Sequence, residues 1–294
     1  MVKIGRDTLE RVCGDVLEAV DRVNAECGCA TPAAITFLLR QYAHTGREDC
    51  RDAVGAALAR ALHHACVSPA RDDASAWLPL FVEAASLSED DRLVAMIESI
   101  AESLSNEWPA RGAVASIARS VRAVLTASAI MDAAAQNARV VARAIDELER
   151  VVGHAYAPGS GLVHELGGED AASGTLGDHA ALASALLVAY SMTARLPYAM
   201  LADELMQHST RRWWGTSGWD APFPEACAAS RVMCRLAALY RDDEYRAAAV
   251  TGEVDYAELA ARGMAALDAV ECLPRDRALF GLAVLELLEI QSAI

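Results

Sequence analysis

The chain repeats one pattern: an Ala- and Leu-rich helix, a short polar turn and a second amphipathic helix. The pattern is clearest from Ala138 to Trp214, which reads as helix, long loop, helix, tight turn, helix. A first helix of a pair ends at Tyr42, at Tyr190 and at Tyr240, and 50 residues separate the last two tyrosines. A spacing near 50 residues is typical of a repeat built from helical hairpins. The sequence therefore predicts a stack of helix pairs.

The two ends of the chain predict how this stack is completed. The sixth first-of-pair helix ends with the chain near Ile290, and the N-terminal helix, predicted from Asp7 to Glu26, has no predecessor. Both terminal helices carry apolar stripes, whereas an open array is capped by polar faces. We therefore expect an all-α protein, an (α/α)6 toroid of about twelve helices. Its N-terminal helix pairs with its C-terminal helix, and residues 1–294 form a single domain.

Local signals place the helix ends. Thr31 is predicted to cap the second helix, with Pro32 at its first position, and Gly46 to end it. From Ala113 to about Tyr156 no residue breaks the helical pattern before Gly153. Because a single helix of 44 residues is unusual in a globular domain, we expect a break near residues 136–137.

Composition excludes several function classes. The net charge of −15 and the pI of about 4.9 argue against nucleic acid and anionic membrane surfaces as partners. No apolar run is long enough to span a bilayer, and the N-terminus lacks the apolar stretch of a secretion signal. Several of the eight cysteines lie on apolar helix faces, so we expect them to be reduced and the protein to be cytoplasmic.

The predicted toroid gathers polar loops on one rim, because every loop that leads into an inner helix lies on the same side. The longest of these loops, residues 157–177, is a candidate functional segment, since long loops in compact domains are usually functional. All five tryptophans are expected at this rim. The rim loops contain Cys27, Cys29, Asp72, Asp73, Trp77, Trp108, His164, Glu165, Glu169, Asp170, Asp178, His179, Trp213, Trp214, Trp219, Asp220 and Glu225.

The candidate catalytic residues flank the long loop. They are His164, Glu165, Asp178 and His179. An imidazole beside a carboxylate can act as the acid/base pair that sugar epimerisation or glycoside hydrolysis needs. The structural alternative is that Asp178 caps a helix and His164 is solvated.

Candidate ligand-binding residues come from the Trp-rich segment and from one earlier helix. They are Trp77, Arg212, Trp213, Trp214, Trp219, Asp220 and Glu225. Indole faces stack on sugar rings and cations, and Arg212 is a candidate charged clamp. The alternative is that the tryptophans pack the ends of the helices.

No metal or cofactor site is predicted. Cys27 and Cys29 lack the second pair that a zinc site needs, and His63 and His64 are adjacent on a helix and point in different directions. Phosphate-loop, zinc-protease and serine-hydrolase motifs are absent from the sequence.

The run from Ala142 to Tyr190, with its segment Leu176-Gly177-Asp178-His179-Ala180, resembles the helical toroid of the YyaL-type (spermatogenesis-associated) thioredoxin-fused proteins. These are relatives of the N-acylglucosamine 2-epimerase group and of six-hairpin glycosidases. The segments 31–46 and 225–249 are similar to two further hairpins of that family, so the resemblance covers about residues 28–292. It implies an α/α toroid and carbohydrate-related chemistry.

The family's thioredoxin-like domain has no counterpart in these residues, and two of its polar phrases are replaced. Leu80 stands where the family has His in the segment 77–81, and segment 125–129 has lost the aromatic and amide residues of its phrase. We therefore expect a weakly catalytic or non-catalytic toroid whose rim binds a small polar or sugar-like ligand or a protein partner. A sugar isomerase, epimerase or glycoside hydrolase is the second hypothesis, and a homodimerising scaffold is the third.

Overall fold

A computed structural model describes residues 4–26, 28–63, 71–88, 90–131, 133–168, 172–248 and 254–292. These residues form thirteen α-helices and four two-residue strands. The helices are α1 Arg6–Ala25, α2 Pro32–Thr45, α3 Glu48–His63, α4 Arg71–Ser86, α5 Asp91–Asn106, α6 Val114–Ala127, α7 Ala134–Ala155, α8 Leu176–Thr193, α9 Leu196–Trp213, α10 Phe223–Leu239, α11 Asp243–Ala248, α12 Tyr256–Asp268 and α13 Pro274–Ser292. The strands are β1 Gly112–Ala113, β2 Tyr156–Ala157, β3 Gly161–Leu162 and β4 Glu165–Leu166. Within this described part of the chain, none of the helices combines the length and the apolarity needed to cross a bilayer.

The chain divides into two compact units. The first unit contains Met1–Ser68, Gly215–Ala237 and Asp255–Ile294, and the second contains Pro69–Trp214 and Ala238–Val254. Each unit is described below by itself, and the single domain over residues 1–294 stays a prediction.

In the first unit, the N-terminal helix packs against the C-terminal helix. Helix α1 contacts α13, α2 and α3, and α13 also contacts α2 and α12. Polar contacts reinforce this packing, because Arg277 on α13 reaches Asp15 on α1 at 3.2 Å, and Arg11 on α1 binds Asp268 at the end of α12 at 2.6 Å. The predicted pairing of the two terminal helices is therefore confirmed.

The contact between α2 and α13 depends on a glycine. A Cβ atom at Gly281 would lie 2.6 Å from the ring of Phe37, which is completely buried. We expect Gly281→Ala to lower the free energy of unfolding by about 1–3 kcal/mol, since a well-packed core resists added methyl groups. Gly55→Ala on the exposed face of α3, where nothing lies within 4 Å, should instead raise it by roughly 0.5–1 kcal/mol. Urea unfolding of both variants measures the difference, and equal effects would contradict the close approach of α2 and α13.

In the second unit, α6 is the central helix. It packs against α4, α5, α7 and α8, and α8 packs in turn against α9. The buried face of α6 is apolar and is formed mainly by Val114, Ile117, Val121 and Leu125. Two short antiparallel ladders are present: β1, which directly precedes α6, pairs with β4, and β2, which directly follows α7, pairs with β3. The segment predicted as a long loop, residues 157–177, therefore overlaps three short strands, β2, β3 and β4.

The predicted helix ends are correct where a capping residue marks them. Thr31 accepts a hydrogen bond from the Ala34 N–H at 3.3 Å, and Gly46 takes a left-handed conformation with φ of 69°. The predicted break near residues 136–137 is wrong, because α6 ends at Ala127 and α7 begins at Ala134. Asn137 lies inside α7, and its amide donates to the carbonyl oxygens of Ser128 and Met131 in the turn. Asn137 thus stabilises the turn between α6 and α7 from a position inside α7.

The described cysteines are mostly buried thiols. Free thiols are present at Cys13, Cys50, Cys227, Cys234 and Cys272, and the first four are buried. Cys29 is disulfide-bonded, so the expectation that all eight cysteines are reduced is wrong at this residue. Cys27 and Cys66 lie outside the described residues.

Candidate functional site

A tight hairpin carries the first candidate residue. Strands β2 and β3 follow α7 directly and are joined by a turn with Gly159 and Gly161 at positive φ, 75° and 79°. His164 comes two residues after β3, and its backbone is fixed on both sides. Its N–H donates to the Ala172 carbonyl at 2.8 Å, and its carbonyl accepts from the Val114 N–H at 2.9 Å. The hairpin therefore holds His164 at the N-terminus of α6.

Asp178 lies at the start of α8 and is completely buried. It forms a capping box with Thr175, since Oδ2 accepts from the Thr175 N–H at 2.8 Å and the Thr175 hydroxyl accepts from the Asp178 N–H at 3.2 Å. Its other oxygen, Oδ1, accepts from the Ala115 N–H at 3.1 Å, which ties α8 to the first turn of α6. Thr175 is thus the N-cap of α8, and Asp178 completes the capping box at the third helical position, in line with the alternative that it stabilises a helix N-terminus.

Asp178 also orients His164. The distance from His164 Nδ1 to Asp178 Oδ2 is 2.7 Å, and the histidine side chain keeps 40% of its surface exposed while the carboxylate has none. A carboxylate on Nδ1 favours the tautomer or the cation that carries a proton there, so proton exchange with another molecule takes place at Nε2. This is the carboxylate–imidazole arrangement that acid/base catalysis uses.

A second carboxylate is held at the same helix end. The Ser116 hydroxyl donates to Asp72 Oδ1, and Ser116 directly follows Ala115, whose N–H binds Asp178. Asp72 and its neighbour Asp73 lie in the first turn of α4 and are exposed. The first turn of α6 therefore fixes carboxylates from α4 and α8. Sequence reasoning placed Asp72 and Asp73 on the rim without assigning them a catalytic role, although an acidic pair in a helix's first turn was the available signal.

His179 contacts the β2–β3 hairpin through the backbone of Leu162. Only 1% of its surface is exposed, its Nδ1 lies 2.8 Å from the Thr175 carbonyl oxygen, and its Nε2 accepts from the Leu162 N–H at 3.3 Å. Its ring stacks on His208, with centroids 5.2 Å apart, and meets the edge of Trp213 at 5.1 Å. Both nitrogens are engaged inside the protein, so this geometry makes His179 a positioning residue.

The stability of this arrangement should depend on pH. Burial lowers the pKa of His179 from 6.5 to about 4, and burial with the charges of Arg211 and Arg212 lowers the pKa of His208 in the same direction. A histidine neutral in the fold takes up a proton more readily when unfolded. The contribution of the neutral histidines to the free energy of unfolding is therefore fully present above about pH 6.5, and it is lost as the pH drops towards 4. We expect the urea midpoint to fall over this range, and His179→Gln to reduce the slope of this fall; an unchanged slope in His179→Gln would contradict the role of its burial.

Further polar residues next to this cluster come from α9 and were missed by sequence reasoning. The Tyr156 hydroxyl donates to Glu204 Oε1, and burial followed by this contact raises the pKa of Tyr156. His208 lies one turn after Glu204, and its buried Nε2 has no hydrogen-bond partner among the described residues. No sequence signal marks Glu204 and His208, because they lie on an ordinary amphipathic helix.

The structure does not bring the predicted ligand-binding residues together in a single cluster. Arg212 lies over the ring of Trp213 at 5.1 Å, beside the histidine pair. Trp77 is buried and stacks on Phe81, with ring centroids 5.7 Å apart, so the packing alternative describes it. Glu165 is exposed on β4, opposite Ala113.

The remaining predicted positions are distributed as follows. Trp214 is half-buried at the end of the second unit. In the first unit, Trp219 donates from Nε1 to the Ser230 hydroxyl at 3.2 Å, Asp220 is exposed, and Glu225 lies in the first turn of α10. Cys27, Glu169 and Asp170 lie outside the described residues. The described residues include no group of three or more His, Cys, Asp or Glu side chains that could hold a metal ion.

Comparison with known proteins gives structural similarity without sequence similarity. No protein-family model matches the chain, and no curated protein matches it. Among solved structures, an unsaturated glucuronyl hydrolase specific for heparin has a TM-score of 0.74 at 10% identity, covering 98% of this chain and 99% of that one. The GH76 α-mannanase of Bacteroides thetaiotaomicron has a TM-score of 0.72 at 9% identity, with 98% of each chain covered. The α-1,6-mannanase of Salegentibacter sp. has a TM-score of 0.69 at 11% identity, covering 96% of this chain and 99% of that one.

The chain has an α/α-toroid fold. Its structural neighbours are six-hairpin glycosidase-like toroids, and the predicted fold class is confirmed. Identities of 9–11% establish the fold alone, so chemistry has to be argued from the residues of this chain.

Proposed function

We propose that this protein is a glycoside hydrolase whose active site lies at the N-terminal end of α6. The observation that carries the proposal is the part-exposed His164, held by the buried Asp178 at 2.7 Å, at a helix end whose first turn binds Asp178 through Ala115 and Asp72 through Ser116. The structural neighbours support it, because they include glucuronyl hydrolases and mannanases. They favour this carbohydrate-active hypothesis over the weakly catalytic ligand-binding toroid.

In the proposed reaction, His164 and Asp72 have opposite roles. Protonated His164 gives the proton on Nε2 to the glycosidic oxygen as the bond from this oxygen to the anomeric carbon breaks. Asp72 takes a proton from the water that attacks the anomeric carbon, and Ser116 holds its carboxylate by donating to Oδ1. Asp178 stabilises the imidazolium and does not touch the sugar. The hydrolysis adds one water across one glycosidic bond and needs no cofactor.

One structural neighbour also supports a role for a pair of consecutive aspartates. The Salegentibacter mannanase in complex with α-1,6-mannotetrose is an inactive variant in which two consecutive aspartates are replaced. In this chain, Asp72 and Asp73 are consecutive and open an inner helix of the predicted toroid. We propose Trp213 with Arg212 as the surface that receives a sugar ring, since the indole offers a large apolar face and the guanidinium donates hydrogen bonds to hydroxyl or carboxylate oxygens.

The test is hydrolysis of a panel of oligosaccharides, including α-1,6-mannotetrose and unsaturated glucuronyl disaccharides, followed by reducing-sugar release. We expect His164→Gln and Asp72→Asn each to lower kcat/KM on the preferred substrate by roughly 10²–10⁴-fold. Glu165→Gln, an exposed carboxylate on the neighbouring strand, is the matched control and should change little. Absence of hydrolysis by the unmodified protein on every substrate, or full activity of both variants, would reject the proposal.

The finer assignments of the sequence analysis remain proposals. These are membership of the thioredoxin-fused subgroup, a cytoplasmic location, and a homodimer or protein partner.

A further inference from the structure

Two buried thiols from different helices meet in the first unit. Cys13 on α1 and Cys50 on α3 have their Sγ atoms 3.6 Å apart, and both side chains are completely buried. The separation is one sulfur–sulfur van der Waals contact, while a disulfide needs about 2.05 Å. A shift of the two side chains by a fraction of a bond length each would bring the sulfurs to bonding distance.

Polar groups next to the pair distinguish it from ordinary buried cysteines. Cys50 lies in the first turn of α3, where the N-terminal end of a helix favours negative charge. Arg47 binds Asp49 through Nε at 3.0 Å, and Asp49 Oδ1 also accepts from the Cys50 N–H at 2.9 Å. Arg47 lies three residues before Cys50, is held near the pair by its contact with Asp49, and remains partly exposed to solvent.

The pKa values of the two thiols are shifted in opposite directions. The hydrogen bond from the Cys50 thiol and the charge of Arg47 lower the pKa of Cys13, although burial opposes the change. The same hydrogen bond and burial raise the pKa of Cys50. By contrast, burial raises the pKa of Cys227 and of Cys234, which lie seven residues apart on α10. Either thiol can donate in the Sγ–Sγ contact, and the directions of the two pKa shifts favour Cys13 as the attacking sulfur and Cys50 as the resolving thiol.

We propose that Cys13 and Cys50 are a redox-active dithiol that hydrogen peroxide converts to a disulfide joining α1 to α3. The Cys13 thiolate attacks one peroxide oxygen, the O–O bond breaks, and the hydroxide that leaves takes a proton to become water. Cys50 sulfur then attacks the sulfur of the Cys13 sulfenic acid, and the S–O bond breaks. The thiol proton of Cys50 leaves with the hydroxyl group as a second water. In total, two thiols lose two electrons and one peroxide gains them.

The test uses the reduced full-length protein, treated with hydrogen peroxide under native conditions, alkylated in denaturant, and mapped by mass spectrometry. We expect a linked Cys13–Cys50 peptide that dithiothreitol removes, and a rise in Tm on oxidation because the new bond closes a long loop. Cys13→Ser and Cys50→Ser should each abolish the linked peptide and reduce that Tm rise to the part that comes from the disulfide of Cys29. Cys234→Ser, which removes a buried thiol from α10, is the matched control and should keep both the linked peptide and the rise.

A substitution outside the pair keeps the proposal falsifiable if a cysteine variant fails to fold. Arg47→Gln, at a partly exposed position, should slow formation of the linked peptide roughly 3–10-fold, because the Cys13 thiolate loses its neighbouring positive charge. Alkylatable Cys13 and Cys50 in the unmodified protein, after peroxide has oxidised the less buried Cys272, would overturn the proposal. An unchanged rate in Arg47→Gln would overturn the role given to Arg47. Neither result depends on glycoside hydrolysis.

Discussion

Asp178→Ala is expected to lower the free energy of unfolding by about 3–5 kcal/mol and to abolish hydrolysis. The carboxylate accepts hydrogen bonds from the backbone N–H groups of Ala115 and Thr175, from the Thr175 hydroxyl and from His164. Each buried donor that loses its acceptor lowers the free energy of unfolding by about 1–3 kcal/mol. Because Asp178 is completely buried, solvent does not replace the lost acceptor. The same substitution removes the carboxylate that orients His164. Stability and activity should therefore fall together.

Urea unfolding measures the first effect and reducing-sugar release measures the second. Asp146→Ala removes an exposed carboxylate from α7 and should change unfolding by no more than about 0.5 kcal/mol. Asp178→Asn should lower the free energy of unfolding nearly as much as Asp178→Ala. An amide accepts hydrogen bonds only through its oxygen, so its NH₂ group would face the Thr175 N–H or the Ala115 N–H, donor against donor. A stable Asp178→Ala variant with normal activity would show that the carboxylate is neither the link between α6 and α8 nor the partner of His164.

The fold could be predicted from the sequence because its signals are local. Apolar periodicity marks the helices, and Thr31 with Pro32 and Gly46 marks the ends of α2. The pairing of the terminal helices followed from the apolar stripe that each of them carries. The break between α6 and α7 could not be located, because the residues that form it are ordinary helix formers and Asn137 stabilises it from inside α7.

The candidate site could be predicted only in part. The sequence showed His164 and Asp178 as a basic and an acidic residue near one loop, but their contact depends on two strands of two residues each, too short for a periodic signal. Asp72 joins the site through Ser116, 44 residues away, and a contact of that kind has no local signature. His179 matched the chemical type of a catalytic base, yet burial and two internal hydrogen bonds make it a support. Residue type therefore predicted the location of the site better than the role of each residue.

Gly161→Ala is expected to lower the free energy of unfolding by about 4 kcal/mol and to displace His164 from Asp178. Gly161 has φ of 79°, which costs a residue with a Cβ atom about 1–3 kcal/mol. That Cβ would also lie 2.7 Å from Nε2 of His179 and 2.7 Å from Nε2 of His208, whose rings are stacked and cannot both move aside without losing contact with Trp213. The added overlap costs about another 1–3 kcal/mol. The hairpin, which carries His164, must then lift away from the imidazole pair.

Gly159→Ala separates these two contributions. Gly159 has φ of 75° in the same turn, and nothing lies within 4 Å of its added Cβ, so only the backbone strain remains. Its unfolding free energy should fall by about 1–2 kcal/mol, and kcat/KM should stay within a few-fold of the unmodified protein. The difference between the two variants then measures the contact of the hairpin with His179 and His208. Equal losses in stability and activity would mean that the hairpin does not rest on the two imidazoles, and the link between this support and the orientation of His164 would fail with it.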